Sequence, residues 1–201
     1  EFAAVDDQHR FELGTIPYLA ETGPRDVEHA TGADDPVGRD RIVFAAQAMV
    51  PAARRDRQWM LQRLVETAVA HPDLTVVVKV RARDGEPQTH VEQFSYEDLL
   101  GELVESGVRL PANLIVESGA MARHLQRAVG LATISSTALL EAVAAGVPCL
   151  AIDDFGVGDR QINTVLVGSG LLGSTEQLVA AQFRHPAPEW LDDNYLHDPA
   201  Y

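Results

Sequence analysis

The sequence predicts an α/β fold built on a doubly wound parallel sheet, and two patterns carry this prediction. From residue 39 onward, short runs of apolar and often β-branched residues alternate with longer segments of helical periodicity. The short runs are apolar throughout, which is typical of strands that are covered on both faces. Regular alternation of such strands with helices indicates βαβ units and therefore a parallel, Rossmann-like sheet.

The first strand is predicted at residues 41–46 (RIVFAA), and a helix with one apolar face follows over residues 53–70. His71 and Pro72 stop this helix. The β-branched run LTVVVKV at residues 74–80 predicts the second strand.

The same alternation predicts the remaining elements. Further strands are predicted at residues 113–116, 131–134 and 147–152. Further helices are predicted at residues 96–106, 121–128, 137–145, 161–167 and 175–183. Because ligands of a doubly wound sheet bind beyond the carboxyl ends of its strands, the residues just after each strand are the first candidates for a site.

The length of 201 residues fits one domain flanked by shorter segments. Ten acidic residues and three arginines lie within the first 40 positions, and the run TGADDPVG before residue 39 is typical of a linker. We interpret residues 1–38 as an acidic linker or as the remnant of a missing amino-terminal domain. Residues 39–184 form the predicted Rossmann-like domain, and residues 185–201 a carboxyl-terminal tail.

The charge balance excludes several function classes. Sixteen Lys and Arg against thirty Asp and Glu leave a formal charge of −14, which disfavours binding to nucleic acids and to anionic membrane surfaces.

No apolar run approaches the ~20 residues of a membrane span. Cys149 is the single cysteine, which excludes an internal disulfide and fits a reducing compartment, most simply the cytoplasm.

The segment from Leu131 to Pro148 is the strongest candidate for a binding site. A short predicted strand runs into Ser135, Ser136 and Thr137 and then directly into a helix. This arrangement offers backbone N–H groups and the positive end of the helix to an anion. The other interpretation is that Ser136 is only a helix cap.

Glu141 lies one turn into the following helix, which is otherwise apolar from Ala138 to Ala145. A carboxylate on such a helix needs a partner or a ligand. We expect Glu141 to accept hydrogen bonds from a sugar or ribose hydroxyl. A narrow solvent-facing stripe and a buried pair with an arginine are the alternatives.

Lys79 is the only lysine of the chain, and Arg81 follows it at the end of the second predicted strand. Residues two apart in a strand point to the same side, so the two cations repel each other unless an anion lies between them. The pair therefore predicts a phosphate site. Simple emergence of both side chains into solvent is the alternative.

No metal site is predicted. The seven histidines never occur at metal-ligand spacing, and Asp153 and Asp154 are more typical of a solvated turn after the fifth strand. The string GSGLLG at residues 168–173 matches a dinucleotide fingerprint, but only a short helix and the tail follow it, so a dinucleotide site is not expected there.

The order of these motifs resembles the carboxyl-terminal domain of GT-B glycosyltransferases. More narrowly, residues 41–172 are similar to the capsule-type group, which includes bacterial polysialyl- and Kdo-transferases and CDP-glycerol glycerophosphotransferases. The resemblance is carried by Lys79-Val-Arg81-Ala82 and by the pattern Ser-Ser-Thr-x-x-x-Glu-Ala followed by Gly-x-Pro at residues 135–148.

The resemblance implies that the domain binds a donor nucleotide without a metal or other cofactor. The hydroxyl residues at 135–137 would meet the phosphate and Glu141 a sugar hydroxyl. The Lys-x-His-Pro motif of the group keeps its lysine here, whereas Arg81 and Ala82 replace the histidine and proline. An arginine meets a phosphate equally well but does not serve as a proton donor.

The expected function is the donor-nucleotide-binding half of a metal-independent glycosyltransferase, or of a glycerophosphotransferase-like enzyme, for cell-surface polysaccharide. Its expected partners are a nucleotide-sugar donor, a saccharide or polysaccharide acceptor, and an amino-terminal domain to which the catalytic base belongs in this group. Two alternatives stay open at this point. One is a non-catalytic α/β interaction or sensor domain, and the other is a sugar-nucleotide epimerase of the same architecture.

Overall fold

The described part of the chain folds around one parallel sheet. The computed structural model describes residues 38–81 and 92–194. Within these residues the sheet has six strands in the order β3-β2-β1-β4-β5-β6, and all neighbouring strands are parallel. The strands are β1 (Arg41–Ala45), β2 (Thr75–Lys79), β3 (Leu114–Glu117), β4 (Ala128–Thr133), β5 (Cys149–Ile152) and β6 (Leu172–Gly173). This is the strand order of the Rossmann fold, so the predicted fold class is confirmed.

Helices cover both faces of the sheet. They are α1 (Arg54–Ala70), α2 (Tyr96–Glu105), α3 (Met121–Leu125), α4 (Ala138–Ala144), a 3₁₀ turn (Thr164–Leu166), α5 (Thr175–Val179) and α6 (Pro188–Asp193). No helix of the described residues is long and apolar enough to cross a membrane.

Two apolar cores result, one on each face of the sheet. The first core lies under α1, α2 and α5, and the second lies under α3, α4 and α6. Alternate residues of β1 enter different cores: Ile42 and Phe44 the first, Val43 and Ala45 the second, and all four are almost completely buried. This double coverage is the physical reason why the strands are apolar at every position.

The prediction of a helix over residues 161–167, between β5 and β6, is wrong. Only the short 3₁₀ turn forms there. Ile162 adopts a left-handed conformation with φ of 57°, which an α-helix does not tolerate. The Asn163 side chain accepts a hydrogen bond from Gly158 N and donates one to Gly156 O, so local side-chain bonds replace helical ones.

Other boundaries differ as well. β4 begins at Ala128, so α3 ends at Leu125 and does not reach residue 128. The helix predicted over residues 175–183 ends at Val179, because Ala181 is left-handed with φ of 51°. β6 was not predicted, since a strand of two residues leaves no apolar run in the sequence.

The segment after α5 packs back against the sheet. Arg184 forms an isolated antiparallel bridge with Cys149, and the ring of Phe183 lies against Gly130 of β4. A Cβ at Gly130 would lie 2.3 Å from the ring carbons of Phe183, so this contact requires glycine.

Part of the predicted carboxyl-terminal tail also belongs to the folded core. Trp190 of α6 is 5% exposed, packs into the second core and donates its indole N–H to Val165 O at 2.8 Å. The predicted acidic lead-in lies outside the described residues except for Gly38, and so do Tyr195 and Tyr201 of the tail.

A buried arginine of α1 holds the loop that follows β1. Arg57 is 1% exposed, and its guanidinium donates to four backbone carbonyls. The acceptors are Pro51 O at 2.8 Å, Gln47 O at 2.7 Å, Ala48 O at 2.6 Å and Phe94 O at 3.0 Å. Arg57 thereby fixes the backbone at the carboxyl end of β1.

The charge of Arg57 is also balanced within the fold. It forms an ion pair with Glu92, whose side chain is mostly buried, and it lies over the ring of Tyr96 at 5.2 Å from the ring centre. Arginine suits this position because its planar fork satisfies several acceptors at once and stacks on an aromatic face.

We expect Arg57→Met to destabilise the protein by about 3–5 kcal/mol, because it removes one partner of a buried ion pair together with the donors to four carbonyls. Urea unfolding of both proteins measures the difference. The matched control is Arg55→Met on the same helix, where the side chain is exposed and the expected change is within about 0.5 kcal/mol. Equal losses in the two variants would contradict a structural role for the Arg57 contacts.

Candidate functional site

The predicted site residues meet at the edge of the sheet where the strands end. Lys79 is the last residue of β2, and the turn of residues 135–137 joins β4 to α4. β2 and β4 are the two neighbours of β1, so their carboxyl ends lie about 10 Å apart across one intervening strand. Arg81 lies two residues beyond Lys79 and is exposed.

Lys79 and Glu141 lie on the same face of the sheet. Lys79 is the register partner of Ala45, which belongs to the second core, and its neighbours Val78 and Val80 belong to the first. The second core is the one that α4 covers, through Ala138, Leu139 and Ala142. Lys79 therefore projects from the sheet on the side where Glu141 lies on α4.

The two opposite charges act on each other. Burial lowers the pKa of Lys79 from its ordinary value, and the carboxylate of Glu141 opposes this shift. Burial likewise raises the pKa of Glu141, and the charge of Lys79 opposes that shift. No direct ion pair within 4.0 Å joins them among the described residues. Lys79 and Glu141 thus attract each other across a gap.

The turn of residues 135–137 is held in place by side chains of β4 and of the loop after β1. The Gln47 amide oxygen accepts hydrogen bonds from Ser135 N at 3.1 Å and from Ser135 Oγ at 2.9 Å. Thr133 Oγ1 accepts from Ser136 N at 3.1 Å and donates to Ala45 O at 2.9 Å. The turn and the end of β1 are therefore one hydrogen-bonded unit.

These bonds determine which donors are available to a ligand. Both donors of Ser135 are taken by Gln47, and Ser136 Oγ caps the helix by accepting from Ala138 N at 3.2 Å. Within the described residues, the Thr137 N–H has no acceptor. The hydroxyl hydrogens of Ser136 and Thr137 and this one N–H are the donors that the turn presents.

Two residues of this unit were missed by the sequence analysis. Gln47 follows a predicted strand directly, so the rule that selected Lys79 and Ser135 also selects Gln47. Thr133 lies inside an apolar strand and carries no signal of its own. Its hydroxyl is fully buried and satisfied on both sides, which makes it a structural group.

The weaker motifs have structural roles. Asp154 Oδ2 accepts a hydrogen bond from Thr175 N at 2.7 Å and so caps α5. Ser169 Oγ, inside the glycine-rich string, accepts from Leu171 N at the turn that leads to β6. Burial raises the pKa of the Cys149 thiol to about 12, so this side chain stays protonated. The structure shows no group of three His, Cys, Asp or Glu that would hold a metal ion within residues 38–81 and 92–194.

Comparison with solved structures returns sugar-nucleotide enzymes at low identity. The glycosyltransferase SnogD from Streptomyces nogalater is 23% identical over 80% of this chain and 35% of its own, with a TM-score of 0.40. The UDP-N-acetylglucosamine 2-epimerase described from Listeria monocytogenes is 16% identical over 87% of this chain and 42% of its own, with a TM-score of 0.46. The pneumococcal O-GlcNAc transferase GtfA, solved with UDP and GlcNAc, is 15% identical over 72% of this chain and 28% of its own, with a TM-score of 0.43.

The chain thus spans less than half the length of each of these proteins. No curated protein matches the sequence. One family does match, and it does so over residues 1–201. With the whole chain matched, the protein belongs to the family described as "Putative glycosyltransferase (DUF6716)".

Proposed function

We propose that this chain is the donor-nucleotide-binding half of a metal-independent glycosyltransferase, or of a glycerophosphotransferase-like enzyme, that acts on cell-surface polysaccharide. The observation that carries the proposal is the meeting of Lys79 and Glu141 on one face at the carboxyl edge, beside the turn of residues 135–137. Membership in a family described as glycosyltransferases supports the reaction class.

The positive groups at this edge suit the phosphates of a nucleotide-sugar donor. When the bond to the sugar breaks, negative charge develops on the departing nucleotide. Fixed cations and N–H or O–H donors stabilise that charge without reorganising, and such preorganised stabilisation lowers the barrier. The cations here are Lys79 and Arg81, and the donors are the Thr137 N–H and the hydroxyls of Ser136 and Thr137. No metal ion is needed for this role.

Ser135 acts in this proposal through the shape of the turn. Because Gln47 holds both of its donors, Ser135 fixes the position of the two residues that follow it. Gln47 is fixed in turn by Arg57, which donates to its carbonyl oxygen. The phosphate-binding donors are therefore built on the rigid end of β1.

Glu141 is placed to recognise hydroxyl groups. An ionised carboxylate only accepts hydrogen bonds, and each of the vicinal hydroxyls of a ribose or sugar has one O–H that can donate to it. The half-buried position of Glu141 excludes part of the competing water, and the charge of Lys79 favours its ionised form. We assign it to the ribose of the donor nucleotide.

Transfer also requires a saccharide acceptor and a base that takes the proton of the attacking hydroxyl. We assign no residue of the described parts to that base, and we attribute it to a separate amino-terminal domain. We also propose a cytoplasmic location, because the chain has a single cysteine and its fold uses no internal disulfide.

Calorimetric titration with CMP, CDP, UDP and GDP in the presence of EDTA tests the function. We expect one nucleoside diphosphate to bind clearly more tightly than the others, without a divalent metal. Absence of binding by all four would overturn the proposal and favour a non-catalytic interaction domain. Conversion of UDP-N-acetylglucosamine to its C2 epimer would replace it by the epimerase alternative.

We expect Lys79→Ala to weaken nucleoside diphosphate binding by about 1–3 kcal/mol, or about 5- to 150-fold in Kd, because a charge-assisted hydrogen bond is lost. Calorimetry with the preferred nucleotide measures this change. Arg109→Ala is the control, since Arg109 is exposed before β3 at the opposite edge of the sheet. If Lys79→Ala and Arg109→Ala bind the nucleotide equally well, the phosphate site lies elsewhere.

We expect Glu141→Gln to weaken binding of the ribonucleotide without lowering the affinity for inorganic pyrophosphate. The reason is that Gln offers one acceptor oxygen where Glu offers two. A double-mutant cycle compares the ribonucleotide with its 2′,3′-dideoxy analogue in both proteins. The affinity of the wild type should fall about tenfold when the two hydroxyls are removed, and that of Glu141→Gln should fall much less. Equal losses in both proteins would contradict a contact between Glu141 and the ribose.

A further inference from the structure

A second cationic cluster lies beside α3 and adjoins Lys79, whose register partner on β3 is Glu117. Arg41 at the start of β1, His124 of α3, Arg123 and Arg127 line a cleft of about 430 Å³, and Glu117 is the only acid of its lining. We call this the arginine cleft. Its volume lies in the range of small-molecule sites, and its concentration of arginines is unusual in a chain with a net charge of −14.

The charges of the arginine cleft are only partly neutralised. Arg41 Nη1 donates to Glu117 Oε2 at 2.7 Å, and Arg127 pairs with Asp40, which lies outside the lining. Arg123 is exposed and has no ion pair among the described residues. Of the three arginines of the cleft, Arg123 is therefore the one whose charge has no partner among the described residues.

Two buried polar atoms of the cleft lack partners. Arg41 Nε is buried without an acceptor, and His124 Nδ1 is buried without a hydrogen bond, while the His124 side chain is only 6% exposed. A buried donor or acceptor left unpaired costs free energy, and a ligand or an ordered water normally satisfies it.

The hydrogen bonds of His124 indicate whether a ligand of the cleft must donate or accept. Its Nε2 lies 3.2 Å from Ser118 O, and a carbonyl only accepts, so Nε2 carries the hydrogen. Burial lowers the pKa of His124, which keeps the ring neutral, so Nδ1 is a bare acceptor. Glu117 Oε2, another acceptor, lies 3.4 Å away. Glu117 Oε2 already accepts from Arg41, so the atom that lacks a donor is His124 Nδ1, and a donor from outside the chain would satisfy it.

We propose that the arginine cleft binds a phosphate group that carries a hydroxyl hydrogen. The oxyanion accepts from Arg41 Nε and Arg123, and the P–OH donates to His124 Nδ1. Hydrogenphosphate carries both charged oxygens and a hydroxyl hydrogen, whereas an ionised carboxylate carries no hydrogen to donate. The proposal uses none of the residues assigned to the donor-nucleotide function, although Lys79 lies beside Glu117 and acts on His124 electrostatically.

Titration with inorganic phosphate, sulfate and acetate tests the proposal, with the His124 ring resonances followed by NMR. Sulfate has the shape and charge of phosphate but no hydroxyl hydrogen. We expect phosphate to bind at millimolar or lower concentration, to shift the His124 resonances, and to bind about tenfold or more tightly than sulfate and acetate. Equal affinity for phosphate and either other anion, or no saturable binding of phosphate, would overturn the proposal.

Two variants locate the bound phosphate. Arg123→Gln removes an exposed cation without an ion pair, so the fold is retained, and phosphate affinity should fall about tenfold. Arg55→Gln is the control for loss of one exposed arginine and should leave the phosphate affinity and the His124 shift unchanged. Persistence of the His124 shift at wild-type affinity in Arg123→Gln, or an equal loss of affinity in Arg55→Gln, would overturn the proposal.

Discussion

The central position of β1 between β2 and β4 is the constraint on which the rest of the structure depends. Parallel pairing on both sides aligns the three carboxyl ends at one edge. It also buries both faces of β1, so the two cores are organised around a single strand. Lys79 and the turn of residues 135–137 come within reach of one ligand only because β1 separates them by a single strand.

Polar groups, and not apolar packing, define the details of that edge. Arg57 binds the backbone after β1, Gln47 of that loop binds Ser135, and Thr133 joins Ser136 to Ala45. All of these bonds are at least partly buried, and those from Ser135 to Gln47 and from Thr133 to Ala45 each join residues 88 positions apart. A partly satisfied network would be costly at such positions, so the bonds specify one arrangement of the edge.

Two clusters of cations occur in this strongly acidic protein. At the carboxyl edge, Lys79 and Glu141 are of opposite sign and attract each other across a gap. Beside α3, three arginines face one glutamate. Because the chain as a whole repels anions, such local reversals of sign require specific placement of the few cations, and both clusters draw on residues at strand ends.

Local periodicity determined much of this protein in advance. Uninterrupted apolar runs predict buried strands, and their alternation with helices predicts a parallel sheet. The same runs place Lys79 at the carboxyl end of the second strand, where β2 ends in the structure. The site prediction followed from the rule that ligands of such sheets bind beyond the strand ends, and that rule also points to Gln47.

The strand order and the contacts between distant segments depend on the tertiary structure and leave no local pattern in the sequence. The strand order, the bond between Gln47 and Ser135 across 88 residues, the burial of Trp190 and the convergence of Arg41 with Arg123 and Arg127 all join distant segments. The helix expected at residues 161–167 gave way to bonds of the Asn163 side chain with its own loop. Periodicity reports which face of an element is buried, whereas the partner of each polar group depends on how the chain crosses over between strands.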